Sequence, residues 1–171
     1  MIFVSGVHGV GKTYFCNTVR EKLGIKSYTA SQLIEVKKNK SFSTDKRVSD
    51  VDINQILLLE AIEELRQSEK EFILDGHFCL LNAEGEISRI PKNTYLSLKP
   101  SSIILLTEKP EIIAERRYLR DGIQQDLSEI KAFQDAEKNY AIEIAAYLDI
   151  PIEISNGTYD IERVIQFIGG R

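Results

Sequence analysis

Eight residues near the start of the chain, Gly6-Val7-His8-Gly9-Val10-Gly11-Lys12-Thr13, spell G-x-x-x-x-G-K-T. Residue types in that order hold a chain of phosphates. Glycines let successive backbone N–H groups turn inward around an anion, where a side chain would block the approach. The segment opens onto an expected helix, whose N-terminus adds partial positive charge. Lys12 is placed to reach the β- and γ-phosphates of a nucleoside triphosphate, and Thr13 to offer its hydroxyl to Mg²⁺. Gly6, Gly9, Val10, Gly11, Lys12, Thr13 and Tyr14 therefore form the expected nucleotide-binding set. ATP and Mg²⁺ are the expected cofactors, since no N-K-x-D-type signature for guanine follows.

A triphosphate site needs a second oxygen donor for its cation. Asp75 ends the apolar run Phe72-Ile73-Leu74. It is expected at the carboxyl edge of a parallel sheet, beside the phosphate loop, where such an acid belongs. Thr13 and Asp75 are the expected metal ligands. His77 faces the same crevice and reads either as a substrate contact or as a packed ring. His8, at a variable loop position, carries no assigned role. Phosphoryl transfer spreads negative charge over the moving group, so catalysis is positioning plus cationic stabilisation. Residues 111–120 supply Arg116, Arg117 and Arg120. Arg116 and Arg120 are four apart and share a helix face. They are expected to project toward phosphates from a short flap, residues 119–128, rather than to pair with Glu115 or Asp121 on the surface. Planar guanidinium groups suit bidentate phosphate contacts. Lys12, Asp75, Arg116 and Arg120 form the expected catalytic set, with Arg116 also against the nucleotide.

These residues need strands and helices in alternation. Ile2 to Ser5 reads as a buried strand and Thr13 to Leu23 as a helix stopped by Gly24. Lys26 to Thr29 reads as a short strand, and Ser31 as the cap of a brief helix. Lys37 to Lys46 is polar and basic, without apolar periodicity, and is expected to be a loop. From Val51 an amphipathic helix follows, carried by Ile53, Ile56, Leu57, Ile62 and Leu65. Further strands are expected at 71–75, 102–106 and 150–154, a turn at 82–85, and helices at 91–98, 110–120, 128–148 and 159–167. Ser128 is the expected cap of the long helix. Short apolar strands without polar alternation are covered on both faces. The expected fold is α/β: a doubly wound five-stranded parallel sheet with helices on both faces, in one domain over 1–171.

Composition bounds the function classes. Of 171 residues, 43% are apolar and 28% charged, ordinary for a globular enzyme. A net charge of −4 sets up no general basic field for nucleic acid or anionic membrane. No apolar run approaches the roughly 18 residues of a membrane span. A first strand beginning at Ile2 leaves no room for a signal peptide, and two cysteines, Cys16 and Cys79, are too few for a disulfide framework or zinc site. A cytoplasmic protein with reduced thiols is the expectation. A small-molecule nucleotide is the expected partner, and a homo-oligomer is compatible with the sequence.

The residues quoted above carry a resemblance to the P-loop nucleoside monophosphate kinases, and most to the archaeal-type adenylate kinases. Val4 to Thr13 is similar to that family's opening strand and loop, and Leu74-Asp75-Gly76-His77 to its D-x-H strand end. Glu115-Arg116-Arg117 and Arg120-Asp121 resemble its paired and flap arginines. The chain departs from the pattern in a shorter flap and in Lys138, where a further arginine is expected. By position, Arg47 resembles the arginine that grips an acceptor phosphate. Arg47, His77 and Arg117 make up the implied substrate-binding set. Asp50, Asn54 and Gln55 offer hydrogen bonds to a base or sugar, or serve as helix-start residues. The resemblance implies ATP-dependent phosphoryl transfer to a nucleoside monophosphate such as AMP. Two alternatives stand beside it. One is a hydroxyl acceptor (a nucleoside, sugar or polynucleotide 5′ end) with Asp75 or His77 as base. The other is a slow ATPase that switches a partner, with Lys37 to Lys46 as a docking element.

Overall fold

The structure, a computed structural model, describes residues 1–40, 50–82, 84–122 and 124–170, without the side chains of Lys40, Asp50, Val51, Asp52, Thr158 and Tyr159. Seven strands are formed: β1 (Ile2–Ser5), β2 (Lys26–Thr29), β3 (Phe72–Asp75), β4 (Cys79–Leu81), β5 (Ile87–Arg89), β6 (Ser102–Thr107) and β7 (Ile152–Asn156). Five of them make one parallel sheet in the order β2-β3-β1-β6-β7. The helices are α1 (Lys12–Leu23), α2 (Ala30–Lys40), α3 (Asp50–Ser68), α4 (Lys92–Leu98), α5 (Pro110–Asp121), α6 (Leu127–Leu148) and α7 (Ile161–Gly169), with a 3₁₀ turn at Gly157–Asp160. The α/β fold expected from the apolar strands is the one observed.

Alternation along the buried strands builds two cores. Ile2, Val4, Ile73, Ile104 and Leu106 point to one face, against α1 and α7 through Phe15, Val19, Val164 and Ile168. Phe3, Leu74, Ile103 and Leu105 point to the other, against Ile62 of α3, Leu98 of α4 and Ile144 of α6. Each such side chain contributes about 1.5–3 kcal/mol by leaving water. On the second face Phe78 sits at the centre of an aromatic cluster. Its ring stacks on Tyr95 at 4.8 Å and meets Phe3 at 5.0 Å edge-on. The Tyr95 hydroxyl, on an otherwise buried side chain, donates to the His77 carbonyl at 2.9 Å. This cluster thus supports the turn that leaves β3.

Three expectations are corrected. The expected turn after Asn82 is present, but Cys79–Leu81 and Ile87–Arg89, not expected as strands, pair across it as a β4–β5 hairpin, and the Asn82 side chain accepts from the amides of Glu84 and Glu86 at 3.1 and 2.7 Å. Helix α2 runs on through Lys37 to Lys40, where a loop was expected; residues 41–46 of that expected loop lie outside the described residues. Packing against α3 and a 2.6 Å pair from Lys37 to Glu64 supply what the polar sequence lacks. The cap of α6 is Asp126, not Ser128. In extended conformation its carboxylate accepts the Ser128 amide and hydroxyl, both at 2.7 Å. Among the described residues no helix is long and apolar enough to cross a membrane.

Replacing Phe78 with Ala empties the middle of the second core. The expected cost is about 3–5 kcal/mol, read as a lower midpoint in urea unfolding. An unchanged midpoint would mean that the cluster does not hold this face together.

Candidate active site

Strand register assembles the site. β1 pairs with β3 on one side and β6 on the other, setting Val4 opposite Asp75 and Ser5 opposite Leu105. The Gly76 amide donates to the Val4 carbonyl at 3.0 Å and extends that pairing past the acid. Asp75 therefore leaves the sheet beside the point where β1 turns into the phosphate loop. The loop begins at Gly6 with φ of +145°. A Cβ there would lie 2.5 Å from the Leu106 carbonyl oxygen, so only glycine lets the turn press on β6. The loop ends in α1, whose first closing bond is Phe15 N–H to the Gly11 carbonyl at 3.0 Å. The helix itself does not use the preceding amides of Lys12, Thr13 and Tyr14. They make an anion-binding helix end.

Lys12 crosses this loop. Its ammonium donates to the Gly6 carbonyl at 2.6 Å and lies 3.5 Å from His77 Nε2 and 3.9 Å from Asp75 Oδ1. Burial lowers its pKa, and the carboxylates of Asp75 and Glu137 oppose that fall. Burial likewise raises Asp75, against the pull of Lys12. Desolvation first, then Lys12 and His8, push the His77 imidazole down to about 3. His77 is thus neutral at physiological pH. Its Nδ1 lies 3.8 Å from Glu137 Oε1, a dipolar approach rather than an ion pair. The His8 ring lies 4.5 Å from that of His77, so the variable loop position faces the crevice.

The arginines divide. Arg116 donates to the Val10 carbonyl at 2.9 Å and reaches Glu108 Oε2 at 3.4 Å. Arg117 lays its stem over the loop: a Cβ on Gly9 would meet its Cγ at 2.8 Å. Arg120 is bound bidentately to Asp121, at 2.8 and 2.6 Å, and is largely exposed. Arg47 lies outside the described residues.

Two clefts flank the loop. The first, about 430 Å³, lies between the loop and the β7 end, lined by Tyr14, Thr107, Arg116, Ser155 and Gly157. The second, about 600 Å³, runs from Lys12, Asp75 and His77 past Arg120 and inward to Asn54, Thr94 and Leu98. Gly11 and Thr13 line both. A molecule in each cleft would meet the other at Gly11 and Thr13. That arrangement brings two substrates together end to end, the requirement for transferring a group between them.

Several residues of the site carried no sequence motif. Glu137 of α6 is 1% exposed, and its carboxylate accepts from the Ser5 hydroxyl and from the amides of Phe78 and Cys79 at 2.9 and 2.6 Å. Its signal was a charge on an apolar stripe, in step with Ile130, Phe133, Tyr140 and Ile144. Buried Glu108 is clamped by Gln134, which accepts from its amide at 3.0 Å and donates to its carbonyl at 2.9 Å. Nothing local announced that pair. Thr94 is 5% exposed, and its hydroxyl has no partner among the described residues.

Known proteins share this architecture. The AAA domain family matches residues 5–134. A putative adenylate kinase of Methanocaldococcus jannaschii is 30% identical over 151 residues, covering 83% of this chain and 75% of that protein. An adenylate kinase of Pyrobaculum aerophilum is 28% identical, covering 91% and 83%. Among solved structures, a gluconokinase from Sinorhizobium meliloti superposes with a TM-score of 0.51 at 17% identity, covering 96% of this chain and 86% of that one. An uncharacterized protein from Eubacterium ventriosum gives 0.52 at 15% identity, covering 99% and 95%. At such identities the two structures speak for the fold alone. The family match and the archaeal relatives, on a chain whose loop, acid and clefts are in place, make this protein a member of the AAA domain family and a P-loop nucleotide kinase.

Proposed function

We propose that the protein transfers the γ-phosphoryl group of ATP to a nucleoside monophosphate, with AMP as the leading acceptor. The observation that carries this reading is the pair of clefts joined at Gly11 and Thr13. ATP lies with its base in the cleft by Tyr14, Ser155 and Gly157, and its phosphates along the loop amides. The acceptor occupies the cleft that runs to Asn54 and Thr94. The archaeal relatives named adenylate kinase support that choice of acceptor.

Thr13 and Asp75 supply a hydroxyl and a carboxylate oxygen, the hard donors that Mg²⁺ takes alongside phosphate oxygens and water. When bound, the ion would neutralise charge on the β- and γ-phosphates. Lys12 offsets the charge of the transferred group as a point charge. Arg116, beside the loop carbonyls, holds the nucleotide. Arg120, at the rim of the acceptor cleft, exchanges Asp121 for the phosphates. A phosphate acceptor is already ionised and needs no base, which agrees with a His77 that burial and the nearby Lys12 make a weak proton acceptor.

The inner end of the acceptor cleft takes the base. Its walls are apolar (Ile34, Leu58, Tyr95 and Leu98), and two polar atoms there, Asn54 Oδ1 and Thr94 Oγ1, have no partner among the described residues. An unpartnered carbonyl oxygen asks for a donor, and the exocyclic amine of adenine is one. A base that satisfies both atoms is favoured over one that leaves them unpaired.

Three outcomes follow. Lys12→Ala abolishes phosphotransfer to AMP while its circular dichroism stays that of the wild type; normal turnover would remove Lys12 from the site. Arg120→Ala lowers kcat by about 10²-fold with little change in ATP affinity, as for a contact made in the transition state. Steady-state kinetics with AMP, IMP and adenosine test the acceptor. AMP is preferred to IMP, and Asn54→Leu narrows that preference by roughly 10-fold through KM. Phosphorylation of adenosine but not AMP would overturn the monophosphate reading in favour of a hydroxyl acceptor.

A further inference from the structure

One buried carboxyl group has no part in the contacts proposed for either substrate. Glu137 stands near the middle of α6, ten residues beyond its start, with the carboxylate turned under the phosphate loop. Charged residues are rarely buried to this degree unless they are fully paired. Here no cation lies in contact among the described residues. The partners are three neutral donors: the Ser5 hydroxyl on Oε1, the Phe78 amide on Oε1 at 2.9 Å, and the Cys79 amide on Oε2 at 2.6 Å. Ser5 is the last residue of β1 before the loop. Phe78 and Cys79 close the turn that begins at Asp75. A single carboxylate thus fastens to one helix the two backbone segments that carry Lys12 on one side and Asp75 and His77 on the other.

We infer that Glu137 is a positioning residue for phosphoryl transfer, whose carboxylate sets the spacing of Lys12 and Asp75 by tying the end of β1 and the turn after β3 to α6. This rests on the assignment of Lys12 and Asp75 to the phosphates and the metal. Two further features fit it. The Oε1 atom that holds Ser5 and Phe78 also faces His77 Nδ1 at 3.8 Å, while His77 Nε2 faces Lys12 at 3.5 Å, so a shift of Glu137 is passed on to the lysine. Helix α6 also follows directly on residues 122–126, the connection from the arginine-bearing α5. A hydrophobic residue of the same volume would fill the space but leave two amides and a hydroxyl without acceptors.

The test compares Glu137→Gln with Ser5→Ala, Lys12→Ala and Asp75→Asn. The Gln side chain keeps the shape but presents an NH₂ to at least one of the three donors. Thermal melts establish the folded fraction. Calorimetric titration with ATP, with and without Mg²⁺, gives the affinity and how much Mg²⁺ improves it. Kinetics with AMP give kcat and KM per folded molecule. For Glu137→Gln, kcat per folded molecule is expected to fall about 10–100-fold, the range seen when a supporting contact behind a metal ligand is lost. ATP affinity without Mg²⁺ stays near wild type, and the gain from Mg²⁺ shrinks. Ser5→Ala shifts both readouts in the same direction by less. Should Glu137→Gln not fold, Ser5→Ala decides alone.

Wild-type kcat and Mg²⁺ gain per folded molecule, beside a crippled Lys12→Ala, would overturn the positioning role alone and leave Glu137 a structural contact. Wild-type rates in both Lys12→Ala and Asp75→Asn would overturn the assignment of the site, and the inference with it.

Discussion

Parallel pairing of three strands, β3-β1-β6, is the constraint on which the site depends. Register is discrete: a slip by one residue would turn every strand side chain to the opposite face. Ile2, Val4, Ile73 and Ile104 would then leave the core they share with α1 and α7. That loss blocks the slip, and the permitted register places Val4 against Asp75. The chemistry inherits its geometry from apolar packing that takes no part in it. The same pairing holds Gly6 against the Leu106 carbonyl, which is why the loop turns where it does.

Such a site sets charge against burial. Lys12 and Asp75 are mostly withdrawn from water, and each is driven toward its neutral form. Their mutual attraction at 3.9 Å recovers part of that loss. Glu137 adds a second carboxyl group to the lysine's surroundings, its pKa raised by burial and drawn back by three donors. Pairs of this kind rarely add stability when measured against apolar residues of equal volume, so the two cores must offset the cost. What the arrangement provides is a lysine that is charged and aimed before any phosphate arrives. Preorganised charge is worth most where water is excluded, because nothing need reorient during the reaction.

How much of this was legible in the sequence follows from the range of each interaction. The loop was legible because its function is local: eight consecutive residues contain the glycines, lysine and threonine it needs. The sheet was legible because full burial erases polar alternation, as in Phe72-Ile73-Leu74 and Ile103-Ile104-Leu105. Asp75 was found by combining the two. The hairpin at 79–89 was missed because its strands are three residues each and its apolar residues, Leu80, Leu81 and Ile87, are exposed rather than alternating. Glu137 was missed because its partners lie 132 and 59 residues away. Two of its three contacts are to backbone amides, which every residue type carries, so the partners have no signature of their own. The clamp of Gln134 on Glu108 is silent for the same reason. The arginines show the limit of a pattern. Helical spacing put Arg116 and Arg120 on one face, yet one reaches the loop carbonyls and the first cleft while the other stands at the rim of the second.

That division has a mechanical sense. Gly11 and Thr13 belong to both clefts, so the loop is the wall through which the two substrates meet. On the proposed reading, a group moving between them would pass over Lys12, with Arg116 behind it and Arg120 ahead. Before transfer the excess negative charge lies on the first side, and afterwards on the second. Cations on one side alone would stabilise one end of the path and deepen a ground state. Cations on both sides stabilise the midpoint best, where the charge is shared, and only interactions stronger there than at the ends accelerate the step. Residues four apart on one helix can occupy both sides because α5 crosses the loop, with the Arg117 stem resting on Gly9 between them. A glycine at that crossing therefore lets the helix rest on the loop, and on the proposed reading leaves its inner side to the phosphate. A side chain there would separate α5 from the loop and draw the two arginines away from the path together.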